Sequence, residues 1–289
     1  MKKLWIPGGK GMLGQALADL ARTRAIDVVV TDREVDITDA AACIAFVRKE
    51  HPTVVVNCAA YTKVDPCEGE EELARSINGD GAGNVGKAAT AIGARALHIS
   101  TDYVFDGNGV RPYLEDDPTG PLSAYGRTKL FGERAFLDNT HGEGLVVRTS
   151  WLYGPGGKNF VTTMLKLMGE REELRVVADQ RGRPTSTGTL ASALLALSPL
   201  DACGVVHYAD GGETTWHAFA CAIFDGARAR GVPLKAHAIH AIKTADFPTP
   251  ARRPPYSVLN TARFSTLTGA QPEPWTGPLS RYLDALVAR

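Results

Sequence analysis

The sequence predicts an α/β fold built on a doubly wound parallel sheet, followed by a smaller C-terminal domain. Three observations lead there. Short β-branched runs alternate with helical spacing through the first half, a glycine turn joins the first strand to the first helix, and beyond Tyr153 glycine- and proline-rich sequence takes over. Parallel strands need long crossovers, which helices supply, so strand–helix–strand repetition is the signature of such a sheet.

The strand candidates are LWIP (4–7), DVVV (27–30), TVVVN (53–57), ALHIS (96–100) and GLVVRTS (144–150). They are short and apolar without alternation, as suits strands buried on both faces. Between them, Leu13, Ala16, Leu17 and Leu20 recur at helical spacing, as do Ile44 and Val47, and residues 70–91 read as a third helix. Residues 1–150 therefore form the sheet domain, completed by a later strand near 204–210 (GVVHYAD). Residues 151–289 are assigned mainly to substrate: a helix near Phe160 to Met168, a strand LRVV (174–177), a helix LASALLALS (190–198), then loops and short helices where Pro248, Pro250, Pro254, Pro255, Pro272, Pro274 and Pro278 fall.

Composition narrows the function. With 32 basic against 32 acidic residues and 44% apolar content, the chain is neither disordered nor suited to a polyanion, so no nucleic-acid role is expected. The five scattered cysteines include no C-x-x-C pair and suggest neither a disulfide framework nor a zinc site, which fits a reducing cytoplasm. The apolar run after Lys2 and Lys3 is too short for a signal peptide, and no segment suits a membrane span.

The turn GGKGMLG places Gly8, Gly11 and Gly14 between strand and helix. One glycine permits the tight turn, another lets the backbone approach a pyrophosphate, and the third lets helix pack on strand, as in the Rossmann-like site where phosphates rest on a helix N-terminus. At the end of the second strand, Asp32 suits the ribose hydroxyl of NAD and Arg33 the 2′-phosphate of NADP, so NADH and NADPH both stay open. Asp36 reads equally as an adenine contact or a helix-terminal charge, and the small residues of NCAAYT (57–62) would let a cofactor lie on the backbone.

STDYVFDG (100–107) leaves the fourth strand at its carboxyl end, where open α/β sheets bind ligands, which puts Thr101 and Tyr103 in the crevice. Tyr125 and Lys129 follow, one helical turn apart in YGRTK. Hydride transfer to a ketone needs this trio. The oxygen gains charge and takes a proton from Tyr125, Lys129 lowers the phenol pKa and holds ribose hydroxyls, and Thr101 donates to the substrate oxygen. Gly126, Arg127 and Thr128 read only as spacers. A Tyr and a Lys four apart, taken alone, are an ordinary solvated helix face.

In combination these motifs resemble the extended short-chain dehydrogenase/reductase superfamily and, within it, the dTDP-4-dehydrorhamnose reductase family. GKGMLGQAL (9–17), NCAAYTKVDPCE (57–68), PLSAYGRTKLFGE (121–133), RTSWLYGPGGKNFV (148–161), ADQRGRPT (178–185) and ARRPPYSVLNT (251–261) carry the likeness over nearly the whole chain. Related dehydratases have Asp-Glu after the Thr, where this chain has Asp102 and Tyr103. The resemblance implies reduction of the 4-keto group of dTDP-6-deoxy-L-lyxo-4-hexulose by NADPH or NADH, with Thr101, Tyr125 and Lys129 catalytic. It implies cofactor contacts at Gly8, Gly11, Met12, Leu13, Asp32, Arg33, Asp36, Ala59, Ala60, Thr62, Tyr125 and Lys129, and substrate contacts at Val64, Tyr103, Trp151, Asn159 and Arg183. Arg252 and Arg253 suit a diphosphate or plain surface charge equally. Some relatives dimerise through magnesium; no carboxylate cluster here identifies such a Mg2+ site, and monomer and homodimer are both open. The competing readings are a ketoreductase for another nucleotide-linked deoxysugar and a non-catalytic NADP-binding regulatory subunit.

Overall fold

The computed structural model describes residues 2–288. Six parallel strands form the central sheet: β1 (Lys3–Pro7), β2 (Asp27–Thr31), β3 (Val54–Asn57), β4 (Arg95–Thr101), β5 (Leu145–Thr149) and, from the second half of the chain, Gly204–His207. The last pairs with β5, so the order across the sheet is β2, β1, β3, β4, β5, Gly204–His207. The order reverses beside β1, and ligand crevices open at such switch points beyond the carboxyl ends of the strands.

Helices cover both faces. On one side α1 (Met12–Thr23) packs with Thr187–Leu197, burying Leu13, Leu17, Leu190 and Leu194 against Leu4, Val56 and Val147. On the other lie α2 (Ala40–Glu50), the run α3 (Glu71–Arg75) to α4 (Gly81–Thr90), and α5 (Ala124–Asn139), over Trp5, Val55 and Val146. The expected helix over 70–91 is interrupted by a π turn at Ser76–Asp80. That turn lets α5 come close: a Cβ on Gly132 would lie 1.9 Å from the Asn78 carbonyl oxygen, so only glycine fits.

The second half forms a separate core: α6 (Phe160–Glu170), the 14-residue helix Trp216–Ala229 and the helix Thr276–Val287, with Met168, Phe219, Ile223 and Leu283 buried together. Those last two helices are longer than proline content suggested. No proline falls within Trp216–Ala229, and Pro278 sits in the first turn of Thr276–Val287, where a missing N–H costs nothing. Strand Glu173–Val177 pairs in parallel with Ala238–Ile242 beside this core.

Candidate active site

The glycine turn closes against the end of β3. Gly8 has φ +74°, and a Cβ there would lie 2.5 Å from the Ala59 nitrogen; one on Gly14 would lie 2.4 Å from the Gly8 carbonyl oxygen. Bare backbone therefore lines the mouth of the crevice. Gly11 begins α1 with no side-chain cap, leaving the first amides of the helix for an anion. A dinucleotide's phosphates fit this cradle.

Not every expected neighbour faces it with its side chain. Leu13 is turned into the core, and Met12 touches the loop at Gly157 and the Asn159 amide (3.7 Å to sulfur). Arg33 is exposed and Asp32 partly so at the end of β2, where Lys10 pairs with Glu34 and Glu34 also accepts from the Asp32 amide. Asp36 accepts from the Thr38 amide (2.9 Å) and hydroxyl, which holds its carboxyl below the usual range, while Asp39 caps α2. Ala59 and Ala60 are partly open, Thr62 fully, and the Tyr61 segment is clamped by Asn78 from the π turn.

The expected trio is brought to the end of β4. Tyr125 lies in the first turn of α5, which Ser123 caps and Glu68 steadies through the Ala124 amide (2.8 Å). Its phenol lies near the Thr101 hydroxyl, and its ring meets Tyr103 edge-on at 5.9 Å. Burial and then the nearby Asp102 push the phenol pKa up, outweighing the pull of the Thr101 hydroxyl. The expectation that Lys129 lowers it is not met in the cofactor-free protein: the buried Lys129 Nζ donates to the Ile99 carbonyl (2.6 Å) and contacts His98 Nε2 (3.3 Å).

Asp102 is 1% exposed, accepts from the Thr101 hydroxyl at 3.0 Å through Oδ1, and has no partner at Oδ2. Burial pushes its carboxyl up to about 7, against the pull of the Ser257 and Thr101 hydroxyls. The folded protein then binds a proton that the unfolded chain releases near pH 4. Stability from this group is therefore lost as pH rises from about 4 to 7, by at most about 4 kcal/mol. Asp102→Asn removes that slope, so its melting temperature relative to wild type should rise between pH 5 and pH 8; a parallel offset at both values would refute it.

On the far side, Trp151 (φ +48°) stacks on Trp216 at 3.6 Å, with Gly182 against its ring. Trp216 escaped the sequence reading because nothing local marks it. Val64 is half-buried beside Asp65, whose carboxylate binds Arg253 (2.6 and 2.8 Å). This pair ties the β3 loop to the C-terminal segment, while Arg252 is exposed. Asn159 is the N-cap of α6, its amide held by the Gly154 carbonyl (2.8 Å) and the Tyr282 hydroxyl (3.2 Å). Arg183 is the least satisfied member, its Nη1 reaching the Thr261 hydroxyl at 3.5 Å. It makes no ion pair among the described residues, its Nε is buried without a partner, and burial pulls its pKa down. Among the described residues no group of three or more His, Cys, Asp or Glu is placed to hold a metal ion.

The whole chain has close relatives. The dTDP-4-dehydrorhamnose reductase of Escherichia coli K12 is 42% identical over 279 residues, covering 95% of this chain and 93% of that one. The crystal structure of a dTDP-4-dehydrorhamnose reductase from Clostridium acetobutylicum superposes with a TM-score of 0.92 at 40% identity, covering 98% and 99% of the two chains. The Bacillus anthracis enzyme of that name, in complex with NADP, gives 0.91 at 36%, covering 99% and 100%. The sequence profile of the family described as RmlD substrate binding domain matches residues 1–288, and the chain belongs to that family.

Proposed function

We propose that the protein reduces the C4 keto group of dTDP-6-deoxy-L-lyxo-4-hexulose (dTDP-4-dehydro-L-rhamnose) to dTDP-L-rhamnose with NADPH or NADH. The observation that carries the reading is Tyr125 set beside Thr101 at the carboxyl end of β4, in the same sheet whose β1 ends in the bare glycine cradle. Relatives bearing the reductase name, one of them bound to NADP, support it.

In this reading residues 1–150, with the strand Gly204–His207, hold the dinucleotide, and 151–289 mainly hold the sugar nucleotide. When bound, the reduced nicotinamide supplies a hydride to the carbonyl carbon. Tyr125 gives its proton to the oxygen, and Thr101 donates to the same oxygen when its hydroxyl leaves Asp102. Gly8, Gly11 and the first amides of α1 receive phosphates; Asp32 and Arg33 lie at the adenosine end. Trp151, stacked on Trp216, stands at the sugar, and Arg183 offers a guanidinium for the diphosphate of the substrate. The protein works in the cytoplasm as a monomer or homodimer.

Consumption of NAD(P)H on addition of the dTDP-4-keto-6-deoxy sugar, followed by NMR of the product, tests this. Cofactor oxidation yielding the rhamno configuration is expected; another C4 epimer would move the assignment to a different deoxysugar. Tight NADP binding with no turnover on any keto-sugar would favour a regulatory subunit. Arg183→Ala is expected to raise KM for the sugar nucleotide about 10- to 100-fold, the loss of one charge-assisted contact, with the NADPH Kd unchanged. An unchanged KM would remove Arg183 from the site.

A further inference from the structure

Behind Tyr125 lies a polar chain that the reduction as described does not use. The Ala59 amide donates to Asn57 Oδ1 at 3.0 Å, Asn57 Nδ2 meets His98 Nδ1 at 3.1 Å, and His98 Nε2 meets Lys129 Nζ at 3.3 Å. Asn57 and His98 are fully buried and Lys129 nearly so, which excludes water from rearranging these contacts freely.

The direction of each bond follows from the first. A backbone N–H can only donate, so it fixes Oδ1 of Asn57 toward Ala59 and the NH₂ toward His98; reversing the amide would set donor against donor at a buried site. His98 Nδ1 must then accept. The neutral imidazole consequently carries its proton on Nε2, which points at Lys129. An ammonium has three donors and no acceptor, and would face that N–H donor to donor. A free amine has one lone pair. It accepts from His98 Nε2 while still donating to the Ile99 carbonyl at 2.6 Å.

We infer that Asn57 and His98, anchored on the Ala59 amide, favour the free amine of Lys129 over its ammonium in the cofactor-free protein, and that His98 is thereby a positioning residue for the reaction centre.

The charged and titratable groups around Lys129 agree. Glu133, one turn on along α5, and Cys58 at the exit of β3 both favour the ammonium, yet burial prevails and Lys129 is pulled down to about 8. Glu133 is already engaged by Arg148 through two bonds of 2.9 and 2.7 Å and by the Ser100 hydroxyl, so it is not free to hold a second cation. Burial, and then Lys129 itself, keep His98 far below its ordinary range, so the imidazole stays neutral. Above about pH 8 Lys129 is thus a proton acceptor one helical turn from Tyr125. It becomes charged as the dinucleotide's negative charge arrives, so cofactor binding takes up a proton above about pH 8.

Only that last use of Lys129 rests on the reductase reading, and the test is made on free protein. Nitrogen-15 NMR of histidine-labelled protein, with His98 assigned by its loss in His98→Gln, should show Nε2 protonated and Nδ1 bare from about pH 6 to 9. A proton on Nδ1, or an imidazolium, would overturn the inference. The Cε carbon of Lys129 should titrate near 8 rather than at the ordinary 10.5. In Asn57→Asp the carboxylate accepts from Nδ1, turns Nε2 into an acceptor, and should move that midpoint up by about one unit or more while the proton appears on Nδ1. Should that variant fail to fold, His98→Gln, whose carbonyl can accept from an ammonium, should move the midpoint the same way. A wild-type midpoint near 10.5, or a midpoint that stays put in the variant that folds, would overturn it. Because neither readout involves turnover, a protein inactive on every keto-sugar can still pass, and a competent reductase can fail.

Discussion

Tyr125→Phe is expected to lower kcat by about 10²- to 10⁴-fold, the range for removing a positioned general acid, while NADPH binding changes little. The phenol is set beside Thr101 as the donor to a ketone oxygen there. The variant removes only the phenol oxygen beside Thr101 and keeps the ring, so the fold and the glycine cradle should survive. The direction of its pKa sharpens the expectation. Because burial and Asp102 push the phenol up, Tyr125 enters the reaction protonated across the neutral range, and donor availability should not limit the rate there. Stopped-flow turnover and cofactor fluorescence titration on the same preparation separate the two quantities. Undiminished kcat would sink the proton-donor role, and lost NADPH binding would mean that the substitution reached the cofactor site instead.

The parts of this chain that were legible in the sequence are those specified locally. Runs such as Val54–Val56 and Leu145–Val147 have no polar alternation because both sheet faces are covered, and that pattern is visible without a structure. Gly8 and Gly14 announce themselves because the turn tolerates nothing larger. The helix Trp216–Ala229 was harder to see, since its buried face of Phe219, Ala220 and Ile223 answers to α6 and Thr276–Val287, far away in sequence.

The spacer of YGRTK shows the same limit at the site. Gly126 is required because a Cβ would lie 2.2 Å from the Tyr103 carbonyl oxygen, Arg127 binds Glu71 at 2.7 and 2.9 Å, and the Thr128 hydroxyl receives the Asn78 amide at 3.1 Å. Each of these three residues fixes α5 to a different neighbour, and so fixes where Tyr125 and Lys129 point. None of those partners lies within the motif. Lys129 itself was assigned from its spacing to Tyr125, but its contacts come from β4, and it is not among the groups that shift the phenol before cofactor binds.

Glu133→Gln is expected to cost about 3–5 kcal/mol of stability, a large share of the roughly 5–15 kcal/mol that holds a typical domain together. Glu133 and Arg148 are only 3% and 5% exposed at the side chain, and the carboxylate binds both Nε and Nη2 of the guanidinium. Without it, Arg148 keeps its charge over the Phe105 ring with only the Glu115 carbonyl (3.3 Å) and His207 (3.4 Å) beside it. His207 cannot compensate by charging in either sense, because burial and then Arg148 hold it neutral, down to about 3. An arginine does not deprotonate to escape such a site, so the loss should persist at alkaline pH. For a chain of this size the melting temperature should fall by on the order of 10 °C. The double variant Glu133→Leu with Arg148→Met should recover most of that, because an apolar pair of similar volume leaves no charge buried alone. A single variant that melts with the wild type would show that water reaches this pair in solution. A double variant as unstable as the single would show that the pair's hydrogen bonds to Ser100 and the Glu115 carbonyl, rather than its charge, hold α5 against β5.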